Sequence, residues 1–274
     1  SGFDIGGSLG ISNLKSQDLT LKRPGSAVAT AAVREAEDGP DFCQQVERET
    51  GLKIWVIDGK QEARLSAQGV LLGWPGSYGL VCDIGGSSME LAEISDGKVG
   101  KRQSSDLGPL KLQGISGGKK ARNDHIKTTI MALKDKMGLQ QNRLFLVGGS
   151  WRALARVDME RRNYPLHVPH EYRMSTQGIN ETIKLLEASD PEKLRRLCHI
   201  SANRMALLPI ACEVLRRLLI TFAPKDIAIS SYGLREGLLF AQMPKKLRDR
   251  DPLIEACYFA EAKDARFPGF GPRL

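Results

Sequence analysis

The sequence has few aromatic residues, only five cysteines and no long hydrophobic run. Aromatic residues make up 6% of the 274 positions, which is thin for the base-stacking surfaces of single-stranded nucleic acid binders. The cysteines are odd in number and form no CxxC pair, which argues against a disulfide framework or a zinc knuckle. The longest apolar stretches, such as residues 210–214 and 218–223, are too short to span a bilayer. No signal peptide is recognisable, and these absences together predict a soluble, cytoplasmic protein.

The charge balance is positive. Forty Lys and Arg residues against 32 Asp and Glu residues give a formal net charge of +8. Such an excess suggests an anionic partner, although a basic surface that only keeps the protein soluble is an equally good interpretation. The basic residues occur as dispersed pairs rather than in one tail, which fits a lined groove better than a disordered arm.

Short apolar runs alternate with segments of helical periodicity. The predicted strands cover residues 52–57, 80–84, 89–94, a return strand from 98 onward, 143–147 and 226–230. The predicted helices cover residues 60–72, 119–137, 151–161, 176–188, 203–222, 234–242 and 252–264. The pattern predicts an α/β chain built around mixed sheets. The helix over 203–222 is apolar enough to serve either the core or a homodimer interface.

A glycine-rich motif recurs at the ends of predicted strands. DIGGS occurs at residues 4–8 and again at 83–87, and the partial copy GGS occurs at 148–150. Consecutive glycines let several backbone N–H groups converge on one phosphate, and serine hydroxyls add donors. A single copy predicts only a tight turn, whereas three copies indicate phosphate binding.

Acidic residues next to these glycines predict a bound metal ion. Asp83 cannot serve a phosphate directly, because two anions repel each other, but it can hold Mg²⁺ that binds the phosphate oxygens. Glu90, on the next predicted strand, is a candidate second carboxylate for the same ion. The alternative for Glu90 is a solvated residue on the polar face of the hairpin.

Several well-known motifs are missing. The sequence has no GxxxxGK[ST], no GxGxxG after a strand and no HExxH. These absences give little support to P-loop proteins, dinucleotide-binding proteins and metalloproteases. His167 and His170 form an isolated HxxH that fits a loop or a packing pair better than a metal site.

Six segments occur in the order found in a known family. They are ATAAVREA (29–36), GKQEARL (59–65), DIGGSSMEL (83–91), LGPLKL (107–112), VGGSWRAL (147–154) and YGLREGLL (232–239). Over about residues 27–268 the sequence resembles the bacterial exopolyphosphatase/guanosine pentaphosphate phosphohydrolase family (Ppx/GppA).

The resemblance implies a two-lobed, actin-like ATPase fold of the ribonuclease H-like type, with mixed sheets, flanking helices and a phosphate loop from each lobe facing one cleft. Only residues 9–28 separate the first DIGGS from the ATAAVREA segment, so the first lobe is predicted to be truncated. The predicted domains are a first-lobe remnant with its phosphate loop (1–36), a main actin-like region with the second phosphate loop and a helical insert (37–244), and a C-terminal amphipathic helix with a tail (245–274).

The resemblance also implies an activity and its residues. The expected reaction releases the terminal phosphate of inorganic polyphosphate, or the 5′ phosphate of guanosine pentaphosphate, with Mg²⁺ (or Mn²⁺) as the metal. Glu62 matches the general base, and Asp83 and Glu90 match catalytic carboxylates that hold the metal. The expected phosphate-binding residues are Asp4, Gly6, Ser8, Arg34, Gly85, Gly86, Ser87, Ser88, Gly148 and Gly149.

Other interpretations stay open at this stage. Without the resemblance, Glu62 is equally well explained as a negative charge at a helix N-terminus. The reduced first lobe favours a second hypothesis, a catalytically weak module that binds polyphosphate or (p)ppGpp. A nucleic-acid binder is a distant third, because it would need salt-sensitive DNA or RNA binding that polyphosphate fails to displace.

Overall fold

A six-stranded mixed sheet forms the centre of the molecule. The structure, a computed structural model, describes residues 27–138, 143–264, 266 and 269. The strands of the described chain are Ala27–Ala29 (β1), Ile54–Val56 (β2), Gly79–Ile84 (β3), Met89–Ser95 (β4), Lys98–Ser105 (β5), Arg143–Val147 (β6), Arg173–Met174 (β7) and Asp226–Ser230 (β8). The central sheet has the order β5-β4-β3-β6-β8-β7, and β1 pairs with β2 in a separate two-stranded parallel sheet.

The helices surround this sheet. They are Ala31–Arg34 (α1), Gly39–Thr50 (α2), Gly59–Gly73 (α3), Pro109–Gln113 (α4), Gly118–Met137 (α5), Gly149–Arg161 (α6), Thr176–Ala188 (α7), Pro191–Leu197 (α8), Ala202–Phe222 (α9), Leu234–Gln242 (α10), Lys245–Arg248 (α11) and Pro252–Asp264 (α12). All seven helices expected from periodicity are present. The elements that were not predicted are the short helices α1, α4, α8 and α11, the helix α2 and the strands β1 and β7.

The strand directions match the predicted fold class. β3, β4 and β5 form an antiparallel meander, whereas β6 and β8 run parallel to β3. Three antiparallel strands followed by two parallel ones are the arrangement of the ribonuclease H-like fold, so the predicted α/β class is confirmed. The carboxyl ends of β3, β6 and β8 therefore meet at one edge of the sheet, which is where parallel sheets usually place their ligands.

The two faces of the sheet pack against different helices. Leu80, Cys82 and Ile84 of β3 join a core with α5, α6, α7 and α9, whereas Val81 joins a smaller core with α3 and α10. Because side chains alternate along a strand, Asp83 lies on the same face as Val81 and looks toward α3. α9 belongs largely to the first core, with nine buried residues between Met205 and Leu219.

Glycines hold α3 and α10 close together. A Cβ at Gly69 would lie 2.1 Å from the carbonyl oxygen of Gly233, and a Cβ at Gly237 would lie 1.8 Å from that of Leu65. No larger residue fits at either position without moving a backbone.

α3 begins where the Asp58 carboxylate accepts a hydrogen bond from the Gln61 N–H at 2.7 Å. The Asp58 cap thus fixes where α3 begins.

The last described helix, α12, contributes no residue to the core. None of the residues of α12 is buried, although Leu253 and Phe259 are large apolar residues. Among the described residues, no helix is long and apolar enough to cross a membrane.

Candidate active site

Three carboxylates come together at the carboxyl end of β3. Asp83 is the penultimate residue of β3, and strand pairing places Glu90 of β4 directly opposite it. Opposite residues of an antiparallel pair point to the same face, so both side chains look toward α3. Glu62, in the first turn of α3, completes the group. Burial raises the pKa of Glu62 and of Glu90. The charge of Asp83 raises the pKa of Glu62 further, and the charges of Glu62 and Asp83 raise that of Glu90.

Asp83 is held by a serine from α3. The Ser66 hydroxyl, itself fully buried, donates a hydrogen bond to Asp83 Oδ2. Burial raises the pKa of Asp83, while the Ser66 hydrogen bond and the positive charge of Arg152 act in the opposite direction. The Ser66 hydrogen bond fixes the orientation of the Asp83 carboxylate. Together with the charge of Arg152, it only partly offsets the effect of burial on the pKa of Asp83.

Glu90 lies in the protein interior, not on a solvated face. Its side chain is almost fully buried, with a relative exposure of 1%, which excludes the alternative of a solvent-facing hairpin residue. The Ser104 hydroxyl donates a hydrogen bond to Glu90 Oε1 at 2.8 Å. Burial and then the charges of Glu62 and Asp83 hold the pKa of Glu90 well above its usual range, although Ser104 and Ser88 hydrogen bonds oppose this.

Glu62 has the properties of a general base. Its Oε2 atom is buried and has no hydrogen-bond partner among the described residues, and the nearest cation is Arg34, with Nη1 3.7 Å away. Burial, followed by the charge of Asp83, raises the pKa of Glu62 to about 7, and Arg34 only partly offsets this rise. A carboxylate with an unused oxygen and a pKa near neutrality is suited to accept a proton from water.

Arg34 lies between the end of β2 and Glu62 of α3. Its Nη1 atom donates a hydrogen bond to the Ile57 carbonyl at 2.6 Å, just after β2, and the same atom faces Glu62. The phosphate-binding role expected for Arg34 stays a prediction. In the structure, Arg34 orients Glu62 from the side of the small sheet.

The second DIGGS motif forms the turn between β3 and β4. The Gly85 N–H donates a hydrogen bond to the Ser88 carbonyl at 2.9 Å, and this closes the turn. Gly85 and Gly86 are exposed, Ser87 is half-buried and Ser88 is buried. The exposed glycine backbone is therefore accessible to a phosphate, next to the carboxylates of the site.

The LGPLKL segment supports this turn. The Leu110 N–H donates a hydrogen bond to the Gly86 carbonyl at 2.9 Å. A Cβ at Gly108 would lie 2.2 Å from the carbonyl carbon of Ser87 and 2.4 Å from the Ser88 nitrogen. Gly108 has a φ of −69°, so glycine is needed there for close backbone approach and not for an unusual conformation.

We therefore expect Gly108→Ala to displace the turn. The added methyl group should lower the free energy of unfolding by about 1–3 kcal/mol, because a packed backbone has to move. Gly114→Ala, at the other end of α4, is the matched control, since its Cβ would have only an ordinary contact at 3.5 Å. Urea unfolding of both variants checks the expectation, and equal losses would contradict it.

The third glycine motif lies against Asp83. Gly148 follows β6 with a φ of +120°, a conformation that favours glycine. A Cβ there would lie 2.6 Å from the Ile84 carbonyl oxygen and 3.3 Å from Asp83 Oδ1. Gly149 begins α6 and packs against the guanidinium group of Arg204. Gly148 thus borders Asp83, and the phosphate-binding role expected for Gly148 and Gly149 stays a prediction.

Five residues that lie at or beside the site were not predicted from the sequence. Ser66 was detectable in principle, because it lies four residues after Glu62 and so on the same face of α3. Arg152 and Arg235 lie within the VGGSWRAL and YGLREGLL segments but were not singled out there. Ser104 and Arg204 are marked by no local pattern, because their place depends on how distant segments come together. Asp4, Gly6 and Ser8, predicted for the first phosphate loop, lie outside the described residues.

A divalent cation fits the chemistry of the carboxylates. Asp83 and Glu90 present hard oxygen ligands side by side. A cation between them would favour their ionised forms, which burial disfavours in both and which the charges of Glu62 and Asp83 disfavour further in Glu90, as their raised pKa values show. Among the described residues, no three Asp, Glu, His or Cys side chains form a ready-made metal cage. Mg²⁺ does not need one, because it usually takes one or two carboxylates and completes its shell with water and substrate phosphates.

Comparison with solved structures supports the fold. An exopolyphosphatase from Cytophaga hutchinsonii superposes with a TM-score of 0.70 at 21% identity, covering 79% of this chain and 73% of that one. The Aquifex aeolicus PPX-GPPA enzyme gives 0.67 at 23% identity, covering 79% and 75%. The predicted two-lobed fold class is therefore confirmed.

Sequence comparison gives two kinds of relative. Retrograde regulation protein 2 of Saccharomyces cerevisiae is 24% identical over 257 residues, which is 84% of this chain and 43% of the relative. Exopolyphosphatase 1 of Mycobacterium tuberculosis is 39% identical over 72 residues, which is 26% of this chain and 21% of the relative. The chain thus spans less than half the length of these curated relatives. The Ppx/GppA phosphatase family matches residues 26–246, and the chain belongs to that family.

Proposed function

We propose that this chain hydrolyses terminal phosphoanhydride bonds, with inorganic polyphosphate or the 5′ phosphate of guanosine pentaphosphate as substrate. The observation that carries the proposal is the buried Oε2 of Glu62, which accepts no hydrogen bond within the described residues and lies next to Asp83 and Glu90. Burial and then the charge of Asp83 disfavour the ionised form of this carboxylate, and the ion pair with Arg34 only partly offsets them. Such perturbed acids in a cleft are typical of catalytic sites.

Each residue of the site has a distinct role in the proposed reaction. Glu62 Oε2 accepts a proton from a water molecule as the water oxygen bonds to the terminal phosphorus. The bond from that phosphorus to the bridging oxygen then breaks, and orthophosphate and a chain shortened by one phosphate leave. Arg34 keeps Glu62 oriented, and the Gly85–Ser88 turn offers backbone and hydroxyl donors to the phosphate oxygens. Catalysis in this scheme is positioning and charge stabilisation.

Mg²⁺ is the proposed metal, with Mn²⁺ as an alternative, since oxygen ligands suit both. Asp83 and Glu90 would hold it, oriented by the hydroxyl groups of Ser66 and Ser104. When bound, the cation neutralises phosphate charge and relieves the repulsion among the carboxylates.

We expect orthophosphate release from long-chain polyphosphate to require Mg²⁺. The measurement is phosphate release by the purified chain, with Mg²⁺ and with a chelator, and the same assay with guanosine pentaphosphate distinguishes the substrates. Metal-dependent release from either substrate supports the proposal. Tight binding of both substrates without release from either would contradict it.

A binding protein is the second candidate function. In sequence, the similarity to a protein named for regulation covers 84% of this chain, whereas the similarity to exopolyphosphatase 1 of Mycobacterium tuberculosis covers 26% of it. A regulator would keep the fold and the phosphate loops but would not need a working base. The release assay separates the two candidates, because a binding protein retains the substrate unchanged.

A further inference from the structure

A second cavity, of about 590 Å³, lies at the end of the central sheet opposite the three carboxylates. It opens between the C-terminal end of α6, the edge strand β7 and the N-terminal turn of α7, with Asp226 at the start of β8 in its wall. The helix α6 runs from one place to the other, because it begins at Gly149 beside the carboxylate site and ends with Arg161 at the cavity. Its 13 residues span about 20 Å, so the cavity is separate from the candidate active site.

The floor of the cavity is an ordered network around one buried acid. Asp158 is only 1% exposed and accepts hydrogen bonds from Thr182 Oγ1 and the Tyr172 hydroxyl, both at 2.6 Å. Arg161 donates to the same carboxylate through Nε at 3.2 Å and through Nη2 at 2.8 Å. Tyr172 directly precedes β7 and Thr182 lies on α7, so these bonds hold the walls of the cavity in place.

The other carboxylates of the cavity are already paired as well. Arg161 binds Glu181 at 2.7 Å in addition to the buried acid. Asp226 lies between Arg143, with Nε 2.6 Å away, and Arg173, with Nη1 2.5 Å away. Each carboxylate that lines the cavity thus holds at least one guanidinium group, and none is left to neutralise a further cation.

Two cations of the cavity have little or no counter-charge. Lys225 forms no salt bridge within the part of the chain that the structure describes. Arg162 uses Nη1 to donate to the Tyr172 hydroxyl at 3.1 Å, and this atom lies 3.6 Å from the already paired Asp158. With Arg143 included, five cations face three carboxylates, which leaves an excess of two positive charges.

The N-terminal turn of α7 adds a hydrogen-bond donor to this excess charge. Ser175 caps the helix by accepting the Gly178 N–H at 3.0 Å, and the first turn contains no acidic residue. The backbone N–H of Gln177 has no acceptor among the described residues. The partial positive charge of a helix N-terminus favours an anion at this place.

These groups together fit a compact dianion. Guanidinium, ammonium and helix N-terminal N–H groups are the usual protein ligands of phosphate. None of the described residues that line the cavity is aromatic, so it offers no surface on which a nucleobase could stack. A small phosphate compound therefore fits better than a nucleotide.

We propose that this cavity binds a phosphate dianion, either free or as the end group of a small phosphate ester, through Arg162, Lys225 and the N-terminal turn of α7. The bound dianion neutralises the two excess charges. The inference is independent of the proposed hydrolysis, because the cavity shares no residue with the carboxylate site.

The test is titration of the whole chain with inorganic phosphate and, in parallel, with glycerol 3-phosphate, at about pH 7.5, where phosphate groups are largely dianionic. The amide NMR signals of Gln177 and Gly178 report on this cavity, so phosphate bound at the carboxylates does not interfere. Both signals should shift and saturate, whereas sodium chloride of the same ionic strength should leave them unmoved. The probe that saturates at the lower concentration identifies the source of the dianion.

Variants locate the binding groups. Lys225→Gln removes an exposed cation without a salt-bridge partner among the described residues, so the fold should not change, and binding should weaken about threefold. Adding Arg162→Gln should weaken it about tenfold or more, the effect of losing a charge-assisted hydrogen bond. Lys184→Gln is the matched control, because Lys184 is exposed on α7 but does not line the cavity, and it should change binding by less than about twofold.

Two outcomes would overturn the inference. Amide signals that do not move, or that move without saturating, with both probes would mean that the cavity binds no phosphate. Equal losses for Lys225→Gln and Lys184→Gln would mean that net charge alone matters. Both outcomes concern binding at the far end of α6, so they are distinct from failure of the release assay.

Discussion

Glu62→Gln should reduce phosphate release by at least about a hundredfold while leaving substrate binding largely intact. A positioned general base contributes about 10²–10⁴ to a rate, and an amide cannot accept the proton. The amide is nearly the same size, so the packing of α3 on β3 should not change. The measurement is orthophosphate release from polyphosphate in the presence of Mg²⁺, together with calorimetric binding of the same substrate.

The control for this variant is Glu47→Gln, which removes an exposed carboxylate from α2. It should leave both turnover and binding unchanged. If Glu62→Gln retained normal turnover, Glu62 would not be the base. If binding and turnover fell together, the carboxylate would act in substrate binding instead.

In the metal-free protein, Glu62 should make folding less stable as the pH rises. The pKa of Glu62 is about 7 in the folded state and 4.5 ordinarily. Between these values the folded protein keeps a proton that the unfolded chain releases, so the free energy of unfolding falls as the pH increases. A shift of this size corresponds to a loss on the order of 3 kcal/mol, complete above about pH 8.

The measurement compares the free energy of unfolding of wild type and Glu62→Gln across this interval, with a chelator present. The comparison is needed because burial lowers the pKa of His170, and this group makes stability rise with pH below its ordinary value of 6.5. The wild-type stability should fall relative to the variant from about pH 4.5 upward. Saturating Mg²⁺ should reverse much of the fall in wild type. Parallel curves for the two proteins would refute the burial of a titrating Glu62.

The local elements of this fold were readable from the sequence. The helix α7 and the strands β6 and β8 have the bounds that periodicity predicts, and α3 begins after an aspartate cap. These segments are specified by their own residues, because an apolar stripe at helical or strand spacing can be buried in only one way. Segments with weak patterns were missed, such as α2 and the two-residue strand β7.

The phosphate loops and the acids were also marked in the sequence. A repeated DIGGS motif and the six family segments indicated Glu62, Asp83 and Glu90 before their positions were known. The pairing of Asp83 with Glu90 follows from a hairpin, so short-range information was enough. The need for glycine at position 108 was not visible, because it depends on the backbone of a turn 20 residues earlier.

What the sequence alone determined is therefore the class of fold, the family and the acidic residues. Only the tertiary structure decided which charges face one another. Burial beside Asp83 gives Glu62 its high pKa, and three helices from distant segments bring together Arg152, Arg204 and Arg235. Desolvation and long-range Coulomb interactions depend on distances in space, and no spacing along the chain encodes them.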